Sequence, residues 1–116
     1  MKFDNDIVVT GGSGLVGSAF KRLLSNAKFP TRDEMPLEEF ANFEKVDQVY
    51  HLAAKVGGVK ANTDYTADFY NKNMKINQNV LQAAKKAGAK KVVSLLSTCV
   101  YPDAPYVTYP ITEEQL

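Results

Sequence analysis

The sequence contains a single cysteine, Cys99, and a single histidine, His51. A lone thiol forms no internal disulfide, and the two residues together fall short of the four-ligand set of a usual zinc site, so no metal is expected. Net charge is nearly absent as well. Fourteen Lys and Arg against thirteen Asp and Glu leave +1, far from the basic balance that makes nucleic acid the default partner. The pairs Lys85-Lys86 and Lys90-Lys91 flank Gly88 at the end of an expected helix and read as solvated capping charges. Long apolar runs are missing: stretches such as Ile7-Val8-Val9 are far below the roughly 18 residues that span a bilayer, which excludes a membrane anchor of that kind. The chain opens Met-Lys-Phe-Asp-Asn-Asp, with acids where an export signal needs apolar residues, and a cytoplasmic location is expected.

What is present is enough for one core. With 45% hydrophobic and 23% charged residues the chain is a folded domain rather than a disordered tail. A chain of 116 residues buries roughly two thirds of its unfolded surface, which leaves no room for a separate substrate domain. Asp6 to Thr10 is a β-branched run that stops at Gly11-Gly12-Ser13-Gly14, the punctuation of a buried strand entering a tight turn. Leu15, Val16, Ala19, Phe20, Leu23 and Leu24 recur at helical spacing through Ser25. Residues 26–36 hold two prolines and read as a loop with at most a vestigial strand at Ala27 to Phe29. Leu37, Phe40, Ala41 and Phe43 predict a short helix. Val49 to Ala53 is a second strand, followed by a Gly57-Gly58 loop. Phe69, Tyr70, Met74, Asn77, Val80, Leu81 and Ala84 predict a helix over about 67–87, with Gly88 as its left-handed cap. Lys91 to Leu96 is a third strand, and the proline-rich remainder is irregular. Alternating strands and helices with right-handed crossovers give an α/β fold with a parallel sheet.

Gly12-Ser13-Gly14-Leu15-Val16-Gly17 matches G-x-G-x-x-G, and Gly11, Gly14 and Gly17 also match G-x-x-G-x-x-G. Either pattern alone is weak. Between a strand and a helix it gains force, because glycines let the turn tighten, let backbone approach a pyrophosphate and let the helix pack on the sheet. The helix N-terminus then offers free N–H groups to the anion. Ser97 falls at the carboxyl end of a strand, where open α/β sheets put their chemistry.

Thr10-Gly11-Gly12-Ser13-Gly14-Leu15-Val16-Gly17, His51-Leu52-Ala53-Ala54 and Ser97-Thr98-Cys99-Val100-Tyr101-Pro102 resemble, in order and spacing, the extended short-chain dehydrogenase/reductases. Thr31-Arg32-Asp33-Glu34 and Ala53-Ala54-Lys55-Val56-Gly57-Gly58 are most similar to the GDP-L-fucose synthase family. The resemblance implies NADP as cofactor and a nucleotide sugar as substrate, with 3,5-epimerase and 4-reductase chemistry. It covers about residues 6–115 but only the first third or so of a family member. Residue by residue, it implies pyrophosphate binding by Gly11 through Gly17 and 2′-phosphate binding by Arg32, a guanidinium suited to gripping phosphate. It puts Ala53 and Ala54 on the adenosine side. It extends the cofactor surface to Asp33, Asn73, Leu95, Leu96 and Thr98. Asn73 is mildly unfavourable in mid-helix, which hints at a use. Ser97 matches a serine that hydrogen-bonds the substrate C4 oxygen, and Cys99 matches the base that removes the proton beside the keto group. A thiol does this only with a lowered pKa or a more acidic substrate. His51, within a strand, reads as a packed core residue.

The sequence also departs from that family. Tyr50, Tyr65, Tyr70, Tyr101, Tyr106 and Tyr109 are followed at the fourth position by Ala54, Phe69, Met74, Pro105, Pro110 and Glu113, never by the lysine of the family's Tyr-x-x-x-Lys pair. The stretch between the first helix and Arg32 is too short for a full second strand. The expected architecture is a Rossmann-like three-layer domain with an abbreviated parallel sheet, spanning 1–116 as a partial NAD(P)-binding unit truncated before any substrate domain. The expected function is the NADP-binding portion of an epimerase/reductase, inactive alone. A stand-alone nucleotide-binding or regulatory module, or an interaction subunit reusing the fold, is the alternative, with self-association left open.

Overall fold

Ile7, Val8, Val9 and Thr10 are all β-branched, a composition that favours extended backbone, and they form β1 (Ile7–Thr10), buried at every position. In the computed structural model, which describes residues 6–116, β1 pairs with β2 (Gln48–His51) and β2 with β3 (Lys91–Ser94). Both pairings are parallel, aligning Thr10 with His51 and His51 with Ser94. The carboxyl ends of all three strands therefore share one edge. On the outer side of β1 a single parallel bridge joins Val8 to Lys28, made by Lys28 N–H donating to the Ile7 carbonyl and Val9 N–H to the Lys28 carbonyl, each at 2.9 Å. That bridge is all that forms of the expected second strand, because Pro30 follows directly and supplies no N–H to extend it. Of the two N-terminal acids weighed against an export signal, Asp4 lies outside the described residues.

The α1 helix (Leu15–Leu23) and the α3 helix (Thr66–Lys86) cover opposite faces of the sheet. Phe20 and Leu24 pack with Ile7, Val9, Ala27 and Tyr50 on one face. Val80, Ala83 and Ala84 pack with Val8, Val46, Val49 and Phe43 on the other. The three layers expected from the sequence are present. The buried stripe of α3 is Phe69, Ile76, Val80, Ala83 and Ala84, a corrected phase that leaves Tyr70, Met74 and Leu81 exposed. Leu15 and Leu23 are likewise exposed rather than in the core. Gly88 has φ +77°. Ala89 N–H donates to the Ala84 carbonyl and Gly88 N–H to that of Lys85, the paired bonds of a Schellman cap.

The helix expected around Leu37 to Phe43 does not form. Glu39 and Phe40 both donate to the Pro36 carbonyl, a single turn, after which the chain runs irregularly so that Phe43 and Val46 reach the core. Instead a short α2 helix (Val59–Asp64) follows the Gly57-Gly58 loop; no apolar periodicity marks it, and none of its residues is buried. The third strand ends at Ser94, two residues earlier than expected, and β3 is exposed at three of its four positions. Among the described residues no helix is long and apolar enough to cross a membrane.

Candidate functional site

The three glycines spaced by three do different jobs. Gly11 has φ +77°, and a Cβ there would lie 2.8 Å from the Ala53 backbone nitrogen. A Cβ on Gly17 would lie 2.1 Å from the Gly11 carbonyl oxygen, so only glycine lets α1 approach the turn this closely. At Gly14 the nearest atom to such a Cβ is the Gly11 oxygen at 3.4 Å, an ordinary contact. The fold does not need glycine at position 14, yet that is the residue at the mouth of α1, where no side chain caps the helix. The N–H groups of Leu15, Val16 and Gly17 are thus left without intrahelical partners. Gly12 instead sits under side chains, Phe29 at 2.9 Å and Lys21 at 3.1 Å from its Cβ position. The G-x-x-G-x-x-G spacing, rather than G-x-G-x-x-G, describes this turn.

The turn opens into a cleft of about 640 Å³. Its lining brings together Gly11 through Gly17, Arg32, Ala53, Ala54 and Leu95, all expected from the sequence, with Lys21, Phe29, Pro30, Lys55 and Lys72, which were not. Asp33, Asn73, Leu96, Ser97, Thr98 and Cys99 do not line it. Arg32 is presented by a turn in which Thr31 N–H donates to Glu34 Oε2 at 2.8 Å and Glu34 N–H to Thr31 Oγ1 at 3.3 Å. This is the reciprocal pattern of a capping box, legible in Thr31-x-x-Glu34. The bond from Thr31 N–H holds the Glu34 carboxyl below its usual pKa. Arg32 itself pairs with Glu38 Oε1 at 3.2 Å. Lys55 pairs with Asp68 and lies 5.0 Å from the centre of the Phe69 ring; Lys72 stands 3.8 Å from the same carboxylate. The Asp68 contact raises the Lys55 pKa and lowers that of Asp68.

The cleft floor is tied to the core by side chains. His51, buried as expected, has Nδ1 2.8 Å from Thr10 Oγ1 and Nε2 2.8 Å from Asn77 Oδ1. An amide oxygen only accepts, so Nε2 carries the proton and Nδ1 accepts from the threonine hydroxyl. Thr10 Oγ1 in turn accepts from Ala53 N–H at 3.3 Å. Burial holds the His51 pKa below its ordinary value, opposed in part by the bond to Asn77. Asn73 clamps the next residues. Its Oδ1 accepts from Lys55 N–H at 2.7 Å and its Nδ2 donates to the Lys55 carbonyl at 3.0 Å. Both polar ends of Asn73 are thereby spent on positioning the loop that follows β2.

Beyond β3 the chain turns rather than staying extended. Thr98–Val100 is a short 3₁₀ turn, and Ser97 Oγ accepts from Cys99 N–H at 3.1 Å. Ser97 and Cys99 are brought together by this cap and not by a shared strand face. Both are exposed, at the same sheet edge as the glycine turn.

A parallel sheet flanked by helices, with a glycine turn and a free helix N-terminus opening into a cleft at its carboxyl edge, defines a Rossmann-like nucleotide-binding class. The chain belongs to the NAD dependent epimerase/dehydratase family, which it matches over residues 7–116. It is 38% identical over 121 residues to the GDP-L-fucose synthase of Escherichia coli (strain K12), covering 95% of this chain and 37% of that protein. Among solved structures, a GDP-L-fucose synthetase from Naegleria fowleri bound to NADP is 35% identical with a TM-score of 0.71, over 100% of this chain and 38% of that one. The GDP-mannoheptose C4 reductase of Campylobacter jejuni with NADP bound is 28% identical with a TM-score of 0.82, over 100% and 37%. The chain thus spans just over a third of the length of these relatives.

Proposed function

We propose that this chain is the N-terminal, NADP-binding portion of a nucleotide-sugar epimerase/reductase of the GDP-L-fucose synthase kind, without turnover as an isolated chain. The observation that carries the reading is the gap at Gly14, a glycine the fold does not require, beside unpartnered helix N–H groups in a cleft with four cations and one carboxylate, Glu38, in its lining. That donor set suits a dinucleotide pyrophosphate. In this reading the turn amides hold the pyrophosphate, Arg32 the 2′-phosphate, Ala53 and Ala54 the adenosine side, and Leu95 the far wall. Asn73 acts by positioning residue 55.

A bound nicotinamide would supply hydride to the keto carbon of the sugar. The chain's own part lies at the Ser97–Cys99 cap. One lone pair of Ser97 Oγ is taken by Cys99 N–H, and its hydroxyl proton remains to be donated to the sugar C4 oxygen. Cys99 is the base that takes the proton beside the keto group, forming S–H while the C–H electron pair becomes the C=C bond of an enolate and the carbonyl π pair moves to oxygen. Reduction also needs an acid for the nascent alkoxide, and none of the six tyrosines has the lysine partner.

Calorimetric titration with NADPH and NADH tests the reading. NADPH should bind more tightly, and Arg32→Ala should remove most of the difference. Equal affinity for the two cofactors, or an unchanged preference in Arg32→Ala, would overturn it.

A further inference from the structure

Four cations line the cleft, and three of them already face a carboxylate: Arg32 faces Glu38, while Lys55 and Lys72 face Asp68. Lys21 is different. Among the described residues its ammonium makes no ion pair; it stands 5.6 Å from the centre of the Phe29 ring. Its Cε reaches back to 3.1 Å from the Cβ position of Gly12, so the last turn of α1 delivers a cation to the wall between the glycine turn and the Lys28 bridge. Cation–π attraction holds it there without neutralising it.

We infer that Lys21 helps select the cofactor: its ammonium is the second cation for the 2′-phosphate of bound NADP, and it shares with Arg32 the discrimination against NAD. This rests on the NADP reading above. The electrostatic sum favours it. A 2′-phosphate brings close to two negative charges at neutral pH, and Arg32 with its partner Glu38 sums to zero. Glu34, ionised in the capping box, adds a negative charge beside them. Without Lys21 these three side chains sum to one negative charge against a dianion, and its ammonium cancels that opposing charge. Position separates the 2′-phosphate from the pyrophosphate as its ligand. The 2′-phosphate belongs beside the end of the second strand, here the Lys28 bridge leading through Phe29 and Pro30 to Arg32. The Lys21 ammonium lies over Phe29, on the way from that bridge to Arg32, with its stem passing Gly12.

Titration of the chain and of Lys21→Gln with NADPH and NADH is the experiment, with Lys21→Arg as the conservative variant. Lys21→Gln should bind NADPH roughly tenfold or more weakly, the loss expected for a charge-assisted phosphate contact. Its affinity for NADH should change by less than about twofold, and Lys21→Arg should restore the preference. Equal losses for both cofactors would move the contact to the pyrophosphate and overturn the assignment, as would unchanged NADPH affinity. A parent chain that binds neither nucleotide overturns the cofactor reading itself, a result distinct from either. Lys21 is exposed, so an unchanged melting temperature for Lys21→Gln separates lost binding from lost folding.

Discussion

Gly14 and Gly17 differ in what a methyl group would meet, and the difference separates binding from folding. Gly17→Ala sets a Cβ 2.1 Å from the Gly11 carbonyl and should lower stability by about 1–3 kcal/mol or more, as overpacking does. Gly14→Ala adds only an ordinary contact at 3.4 Å. It should melt within a few degrees of the parent while losing most dinucleotide affinity, because the methyl fills the approach to the helix mouth. Thermal melts beside titrations check both; a Gly14→Ala chain that binds normally would contradict the role given to that gap. His51 makes a pH prediction. Its folded pKa lies below the ordinary 6.5, so as pH falls the unfolded chain takes up this proton first. Its contribution to stability is whole above about 6.5 and declines below it, at up to about 1.4 kcal/mol per pH unit, until the lowered folded pKa is passed. Urea midpoints between pH 8 and 5 should show that slope, and His51→Gln should flatten it. A slope that survives in His51→Gln would assign it elsewhere. At this scale the glycines and Arg32 were legible because they are contiguous motifs. Lys21, Lys55 and Lys72 were not, since three separate elements bring them to one cleft and no spacing in the chain records that meeting.

The α3 helix does more than cover the sheet. Asn73 and Asn77 lie along its inward side and spend their amides on Lys55 and His51, so the helix fixes both the cleft floor and the loop beyond it. Asn73→Ala should cost about 1–3 kcal/mol, since it strands the Lys55 N–H and carbonyl. It should also raise amide exchange at residues 55–57; unchanged exchange there would mean that the loop holds itself. The sequence shows α3, its glycine cap and β1 plainly, because each joins a clear apolar pattern to a clear stop. The phase of α3 was misread because its exposed Tyr70, Met74 and Leu81 are as apolar as its buried residues. The segment after Pro36 misled for another reason: three of its apolar residues have helical spacing, but the crossover spends its length reaching Val46 and β2. Against the Escherichia coli relative the aligned stretch runs to 121 positions, more than the 116 residues of this chain, so the relative carries residues that this chain lacks.

At the scale of the molecule the sheet is unfinished on one side. β3 has β2 on one flank and no strand on the other among the described residues, and Val92, Leu95 and Leu96 are exposed. With the Tyr-x-x-x-Lys pair absent, reduction of a keto sugar should run about 100- to 10,000-fold below an intact enzyme; NADPH oxidation followed at 340 nm in the presence of the keto sugar, at rates near those of an intact enzyme, would contradict this. The same global view gives the cleft lining a further meaning. A chain of net charge +1 that gathers Lys21, Arg32, Lys55 and Lys72 around one opening is nearly neutral from afar and electropositive at its mouth. An anionic nucleotide approaching it is therefore turned toward the opening only over the last stretch of its diffusion, within the Debye length of about 8 Å at physiological ionic strength. Its association rate should fall as salt is added, while its rate of departure stays nearly constant.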